Sequence, residues 1–454
     1  ARYVRLTVLS GWGMLGQYGL SEVRFLYSPA HATQPLPTDG TAEVDVKTAL
    51  RWRPGRDAAL HRVYIDTSPE AVADGTAPAA TVSDNLYRPD TVEFGGTYYW
   101  RVDEVNEAEP IALWEGDVWS FTMQPHAVID DFEGYTDNLE AGEAIFDTWL
   151  DGWVNGTGST VGYLDTPFAE RSIVHGGVQS MPLAYDNTVS PWYSQAERTW
   201  DAPQDWSVYG ADTLTVHFRG NPPAFLETAE GHIVMGGIGA DIWGTADQFR
   251  FAYKSLNGNG SIVARVESIA NTWPWAKGGV MIRERIDPGA AHAMVVLTPE
   301  NGAALQYRPT MNGPSLSVDE PGPVAPYWVK LTRSGNTFTA ERSEDGVNWV
   351  SITADPAASS VQISMATNVY IGLAVTSTNA NAVTGAEFSG VATTGNVTGQ
   401  WQTASIGREQ PEGNAAEPLY VAVEDNAGNT AVVPHPDPLA VLRAEWQTWR
   451  IPLG

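Results

Sequence analysis

The 454-residue chain has no cysteine, which excludes disulfide staples and thiolate metal sites. Lysine is nearly absent: Lys47, Lys254, Lys277 and Lys330 are all there are. With 26 Lys and Arg against 54 Asp and Glu, the formal charge is -28. Such a surface repels nucleic acid and anionic membranes, so neither is expected as a partner. It favours neutral ligands and divalent cations. No run of 18 apolar residues exists, so no membrane span is expected. No amphipathic helix longer than a few turns is visible. Also missing are a Gly-x-Ser-x-Gly elbow, a His-Glu-x-x-His helix and a phosphate loop.

What the chain does have is 44 Gly, 30 Pro and 18 Trp, with short alternating runs between turn signals. That is an all-β profile, and the length suits about three domains. Residues 2–8 and 20–25 alternate as two half-buried strands. Two strands are not stable alone, so they are expected to dock on a neighbour. Leu50-Arg51-Trp52, His61-Arg62-Val63-Tyr64-Ile65, Gly96-Thr97-Tyr98-Tyr99-Trp100-Arg101-Val102 and Val118-Trp119-Ser120-Phe121 read as strands of a first sandwich, with Trp52 and Trp100 as core anchors. Asp130-Asp131-Phe132-Glu133 reads as a short strand with Asp131 and Glu133 on one face. Carboxylates so close need a cation or hydrogen bonds between them. Two readings stay open: a cation held by Asp131 and Glu133, with Asp425 as a weaker candidate, or a solvated acidic edge; the first strand resembles that of jelly rolls that hold a structural Ca²⁺ there, which makes Ca²⁺ the expected ion. Asp241 and Asp247 flank a Trp-Gly turn and are expected to serve that turn rather than a cation.

Four resemblances organise these segments. Arg2-Tyr3-Val4-Arg5 followed by Gly19-Leu20-Ser21-Glu22-Val23 resembles the last two strands of a discoidin-type domain, giving an incomplete module over residues 1–33. Residues 34–125 resemble a fibronectin-type-III sandwich, a module that usually acts as a spacer. Residues 126–228 and 397–454 together resemble one galactose-binding-like jelly roll, as in carbohydrate-binding modules, with its last strands missing. Residues 229–396, with Trp275-Ala276-Lys277-Gly278-Gly279-Val280-Met281-Ile282-Arg283, resemble a concanavalin A-like sandwich inserted in a loop of that jelly roll. Loop tips tolerate such insertions. The expected fold is therefore all-β tandem sandwiches, one jelly roll lodged within another.

The jelly-roll resemblance implies a ligand face. Tyr185, Trp192 and Tyr193 are the aromatics expected nearest a sugar ring, with Asp186 and Asn187 taking hydroxyls. For any one of these rings, core packing is the competing reading and the stronger one. A retaining glycosidase needs two carboxyl groups about 5–5.5 Å apart. Glu341 and Glu344 diverge along a strand, and Glu284 sits between Arg283 and Arg285 as an ion-pair cluster, so no catalytic dyad is expected. The resemblances imply a secreted or cell-surface, non-catalytic protein whose partner is a polysaccharide or other glycan. Two alternatives stay open: a structural subunit of an extracellular fibre, self-associating through its incomplete terminal modules, and the accessory modules of a larger glycoside hydrolase.

Overall fold

A computed structural model of the protein describes residues 27–353 and 360–453, together with Arg5, Thr7 and Leu9. The strand pair expected within residues 1–26 lies outside the described residues. What is described is almost entirely β.

The first sandwich packs two sheets. One joins Thr33–Leu36, Leu50–Arg53 and Leu86–Tyr87. The other runs Thr41–Val44, Val118–Met123, Thr97–Val105, Leu60–Asp66, Ala79–Val82, with Leu113–Trp114 added on Thr97–Val105. Alternation along Val118–Met123 buries every second side chain, as period-two patterning requires. Trp100 meets Trp52 and Trp119 edge-on, at centroid distances of 6.2 and 4.8 Å. Both expected anchors, Trp52 and Trp100, are buried.

The largest sheet begins at Leu226 and ends at Ile406. The joints expected at 228/229 and 396/397 thus fall inside the strands Leu226–Ala229 and Asn379–Ile406. Its principal path is Leu226–Ala229, His232–Gly239, Asn379–Ile406, Phe249–Ile269, Asn368–Thr376, Lys277–Arg283, His292–Leu297, Ala303–Arg308, Leu316–Glu320. Two layers arise from one hydrogen-bonded path because Phe249–Ile269 changes partners. Its first half pairs with Asn368–Thr376, its second with Tyr327–Ser334. The pairing with Asn379–Ile406 slips between Asn257 and Gly260, at the point of change, as a bulge lets a strand bend.

Between the layers lie Ile262, Val266, Val280, Ile282, Val295, Leu305, Val329, Leu331, Phe338 and Leu373. The opposite face of the central strands is buried as well. Met281, Met294, Ala304 and Ala374 pack there against Ile242, Phe249, Phe251 and Ile406. The hairpin Ile242–Trp243 with Ala246–Asp247 supplies part of that cover. Asp247, fully buried, fixes it in place. Its Oδ2 accepts from Arg283 and Arg308 at 2.8 Å each, and its Oδ1 from Arg308 at 2.5 Å. The remaining guanidinium hydrogens go to backbone carbonyls, among them Arg285 O at 2.8 Å and Gly313 O at 3.1 Å. His292 completes the cluster. Burial pushes its imidazole down to about 3, against an opposing pull from Asp247.

Residues on either side of this sandwich return to each other. Thr213–Arg219 pairs antiparallel with Trp446–Pro452 over seven residues, from Thr213↔Pro452 to Arg219↔Trp446. Gly220 N donates to Arg443 O at 2.8 Å, and Asn414 N to Asn221 O at 3.2 Å. Tyr420–Glu424, in the segment expected to complete the same jelly roll, pairs with Thr430–Pro434 in a hairpin. With Ser159–Val161 and Leu183–Tyr185, this part is three two-stranded ribbons joined by loops. Among the described residues, none of the four buried hydrophobic clusters is built from residues 126–208 or 411–453. Strands of three to seven residues, broken by Gly, Pro and Asp, leave little continuous apolar face there.

Two outcomes follow from the Asp247 cluster. Asp247→Ala leaves two buried guanidinium charges without their counterion, and costs about 3–5 kcal/mol in denaturant unfolding. In acid, the unfolded chain takes up the His292 proton before the folded one does. Its folded value is depressed from 6.5, so stability falls as pH drops from about 6.5 toward 3. Asp247, also depressed, acts in the same direction. His292→Phe flattens that slope, as read by melting temperature against pH.

Candidate functional site

The segment carrying the expected ligand residues is built by a short helix and the loop facing it. Asp151 caps Gly152–Asn155 by accepting from Trp153 N at 3.0 Å, and its other oxygen accepts from Val161 N at 2.8 Å. Gly156, at φ +74°, ends the helix. From there, Gly158 N donates to Tyr193 O at 3.0 Å, while Asn155 Nδ2 and Ser159 Oγ donate to Gln195 O at 3.0 and 2.6 Å. Asp186 N closes the arrangement on Gly158 O at 2.8 Å. A Cβ at Gly158 would lie 2.0 Å from Asp186 O, so only glycine allows this approach.

The expected residues divide into two groups. Tyr185 is a tie: its hydroxyl donates to Ala415 O at 2.7 Å, linking the chain before and after the inserted sandwich. Burial, aided by Glu417, pushes it up to about 12. Asp186 and Asn187 shape the loop. Asp186 accepts from Thr188 N at 2.9 Å and from the Thr188 hydroxyl at 2.5 Å, and that hydroxyl leads in drawing its carboxyl below the ordinary range. Asn187 Oδ1 accepts from Ser194 Oγ at 2.7 Å. Trp192 and Tyr193 project outward, at 66% and 45% exposure. Trp192 holds φ +71°, a left-handed backbone in a bulky residue. Trp153, which the sequence reading did not single out, is 85% exposed in the same loop cluster. Its signal was the Asp-Gly-Trp run, an N-cap that starts a helix too short to bury anything.

Four other tryptophan faces are covered by cations. Lys254 lies over Trp401 at 4.8 Å, Lys277 over Trp243 at 5.8 Å and Lys330 over Trp349 at 4.1 Å. Three of the four lysines therefore cap tryptophans. Arg198 does the same for Trp200 at 4.9 Å. Among the described residues, Trp153 and Trp192 make no ring–ring or cation–π contact.

The carboxylates expected to share a cation are not brought together. Asp130-Asp131-Phe132-Glu133 is a turn, not a strand, with Phe132 at φ +63°. Each carboxylate is taken by nearby donors. Asp130 accepts from Phe132 N at 2.8 Å, Tyr135 Oη at 2.6 Å and Trp149 Nε1 at 2.7 Å, and pairs with Arg198. Asp131 accepts from Glu133 N at 3.1 Å, and Glu133 from Val178 N at 3.0 Å. Asp425 caps its own hairpin turn, accepting from Ala427 N and Asn429 N at 2.8 and 2.9 Å. Among the described residues, no group of three or more His, Asp or Glu is placed to hold a metal ion. Alternation suggested a strand, but Asx-type bonds from Asp130 and Asp131 to amides two residues on prefer a turn. The acids weighed as a dyad are also engaged: Glu341 pairs with Lys330 at 2.7 Å, and Glu284 accepts from Ala366 N at 2.9 Å.

No protein-family model and no curated protein matches this chain. Several solved structures resemble it. A functionally unknown protein from Saccharomyces cerevisiae is 16% identical over 40% of this chain and 97% of its own, with a TM-score of 0.32. The alginate lyase from Klebsiella pneumoniae is 13% identical over 31% of this chain and 61% of its own, at 0.22. The GH43 protein BlXynB from Bacillus licheniformis is 11% identical over 68% of this chain and 67% of its own, at 0.24. At TM-scores this far below 0.5, these likenesses assign neither a fold family nor an activity to the chain.

Proposed function

We infer that this is a secreted or cell-surface, non-catalytic protein that binds neutral glycans through the loop cluster carrying Trp153, Trp192 and Tyr193. The observation that carries the reading is Trp192. A left-handed backbone costs an ordinary residue roughly 1–2 kcal/mol, and a ring two-thirds exposed returns little of that through burial. Backbone strain recurs at binding sites, which supports a contact role for this exposed ring. Trp153 and Tyr193 add two exposed rings on segments that hydrogen bonds hold together, and among the described residues no cation occupies the Trp153 or Trp192 face. Sugar rings offer flat C–H faces that stack on such surfaces, with hydroxyls left to polar loop atoms. The formal charge of -28 disfavours anionic polymers as ligands. In this reading the first sandwich is a fibronectin-type-III-like spacer, as its three-strand and larger sheets suggest.

A second reading, a subunit of a cell-surface or extracellular assembly, is favoured by one feature. The Tyr420–Glu424 and Thr430–Pro434 hairpin stands outside any larger sheet, with Val432 at 59% exposure. Unpaired strand edges invite pairing with another chain.

A glycan array followed by calorimetry on the hits separates these readings. Trp192→Ala and Trp153→Ala each weaken binding at least about tenfold, or about 1.4 kcal/mol, without lowering the melting temperature. Tyr185→Phe behaves oppositely: it removes one hydrogen bond, costs about 1 kcal/mol of stability and leaves affinity unchanged. Strong binding indifferent to both tryptophan changes would remove this site. No binding at all, together with concentration-dependent oligomers in light scattering, would favour the assembly reading.

A further inference from the structure

The inserted sandwich carries a second set of exposed features that its folding does not use. Trp273 is 55% exposed and, among the described residues, makes no ring–ring or cation–π contact. Its position is rigid. Ala276 N donates to Trp273 O at 2.9 Å, and Asn301 Nδ2 donates to Pro274 O at 2.8 Å. Beside it, Asn271 Nδ2 donates to Glu300 Oε1 at 2.8 Å, leaving the other carboxylate oxygen and the Asn271 carbonyl oxygen as acceptors.

The third part of the cluster is the turn joining Asn368–Thr376 to Asn379–Ile406. Thr272 Oγ1 donates to Ser377 O at 3.1 Å, fastening the tryptophan loop to this turn. Ser377 is fully buried; its hydroxyl donates to Asn379 O at 2.6 Å and accepts from Gly239 N at 3.1 Å. The next residue, Thr378, sits at φ +47°. Glycine or asparagine suits that backbone; a β-branched residue there is an outlier. Its hydroxyl oxygen is buried and has no partner. The turn geometry accounts for the left-handed backbone, but not for the choice of threonine. That hydroxyl is out of a ligand's reach, so the turn's part is to hold the tryptophan loop through the Thr272–Ser377 bond.

We propose that the loops at 271–275 and 298–302, fastened to the turn at 376–379, form a second binding site for a neutral oligosaccharide, with Trp273 as the stacking platform and Asn271 and Glu300 as hydroxyl partners. The carboxylate of Glu300 suits hydroxyl donors and disfavours uronate-rich ligands. This site is independent of the Trp192 cluster, and two sites on one chain gain from each other on a polymer through effective concentration.

The test follows tryptophan indole signals in the full chain labelled with [¹⁵N]Trp, with the Trp273 and Trp192 peaks assigned by Trp273→Phe and Trp192→Phe. Cellohexaose, xylohexaose, laminarihexaose and mannohexaose are titrated separately. At least one moves the Trp273 peak saturably, and it still does so when Trp192→Ala and Tyr193→Ala are combined. Glu300→Ala removes an exposed acceptor and weakens binding at Trp273 at least tenfold, without lowering the melting temperature. A Trp273 peak unmoved by all four sugars overturns the proposal, whatever the Trp192 peak does. A moving Trp273 peak beside a silent Trp192 leaves this site standing and removes the first. Glu300→Ala that leaves affinity unchanged overturns the assignment of Glu300.

Discussion

One carboxylate organises the largest domain. Asp247 lies between Arg283 and Arg308 with no access to solvent, and its position determines where the 242–247 hairpin rests. A buried ion pair of this kind is weak evidence for stability in itself, because desolvation opposes the attraction. Its consequence here is positional. Guanidinium hydrogens left over from Asp247 reach carbonyls of the 242–244, 285–290 and 313 segments, so three loops are held by one charge cluster. Those loops let the central strands bury both faces, and Lys277–Arg283 and His292–Leu297 are buried at every position.

The ribbons around this domain follow a different physics. They are short, their apolar residues scatter over the surface, and side chain–backbone bonds fix their loops. Asp130, Asp151, Asp186 and Glu133 each accept from backbone amides. Acidic residues outnumber basic ones, 54 to 26, and here they act as local cappers. The scarcity of lysine has a parallel result. Three of the four lysines are committed to tryptophan faces, so the exposed, uncapped rings stand out as a separate class.

The all-β class was legible from alternation and turn residues, because period-two patterning is local. Trp52 and Trp100 were legible as anchors for the same reason. The pairing of Thr213–Arg219 with residues beyond 440 was harder to see. Sequence pattern marks strands but not partners, and Trp446–Pro452 and Leu419–Glu424 look equally suitable as strands. The charge cluster left a trace in Arg283 and Arg308, cations in otherwise apolar strands, but their shared counterion lay in a turn where aspartate is commonplace. Asp130–Glu133 misled because alternation and an Asx turn use the same letters. Trp153 escaped notice because exposure is a property of the surroundings and not of the residue.

The register of the ribbon bracketing the inserted sandwich has a mechanical consequence. Thr213 and Pro452 sit opposite each other at one end, and Arg219 and Trp446 at the other, next to the insertion. Tension arriving through the segments before 213 and after 452 therefore opens the ribbon as a zipper, one rung at a time. Shear, which would strain all rungs together, does not arise in this geometry. Until the last rung yields, the inserted sandwich feels no pull, so a tethered protein of this build extends at low force while its largest domain stays folded.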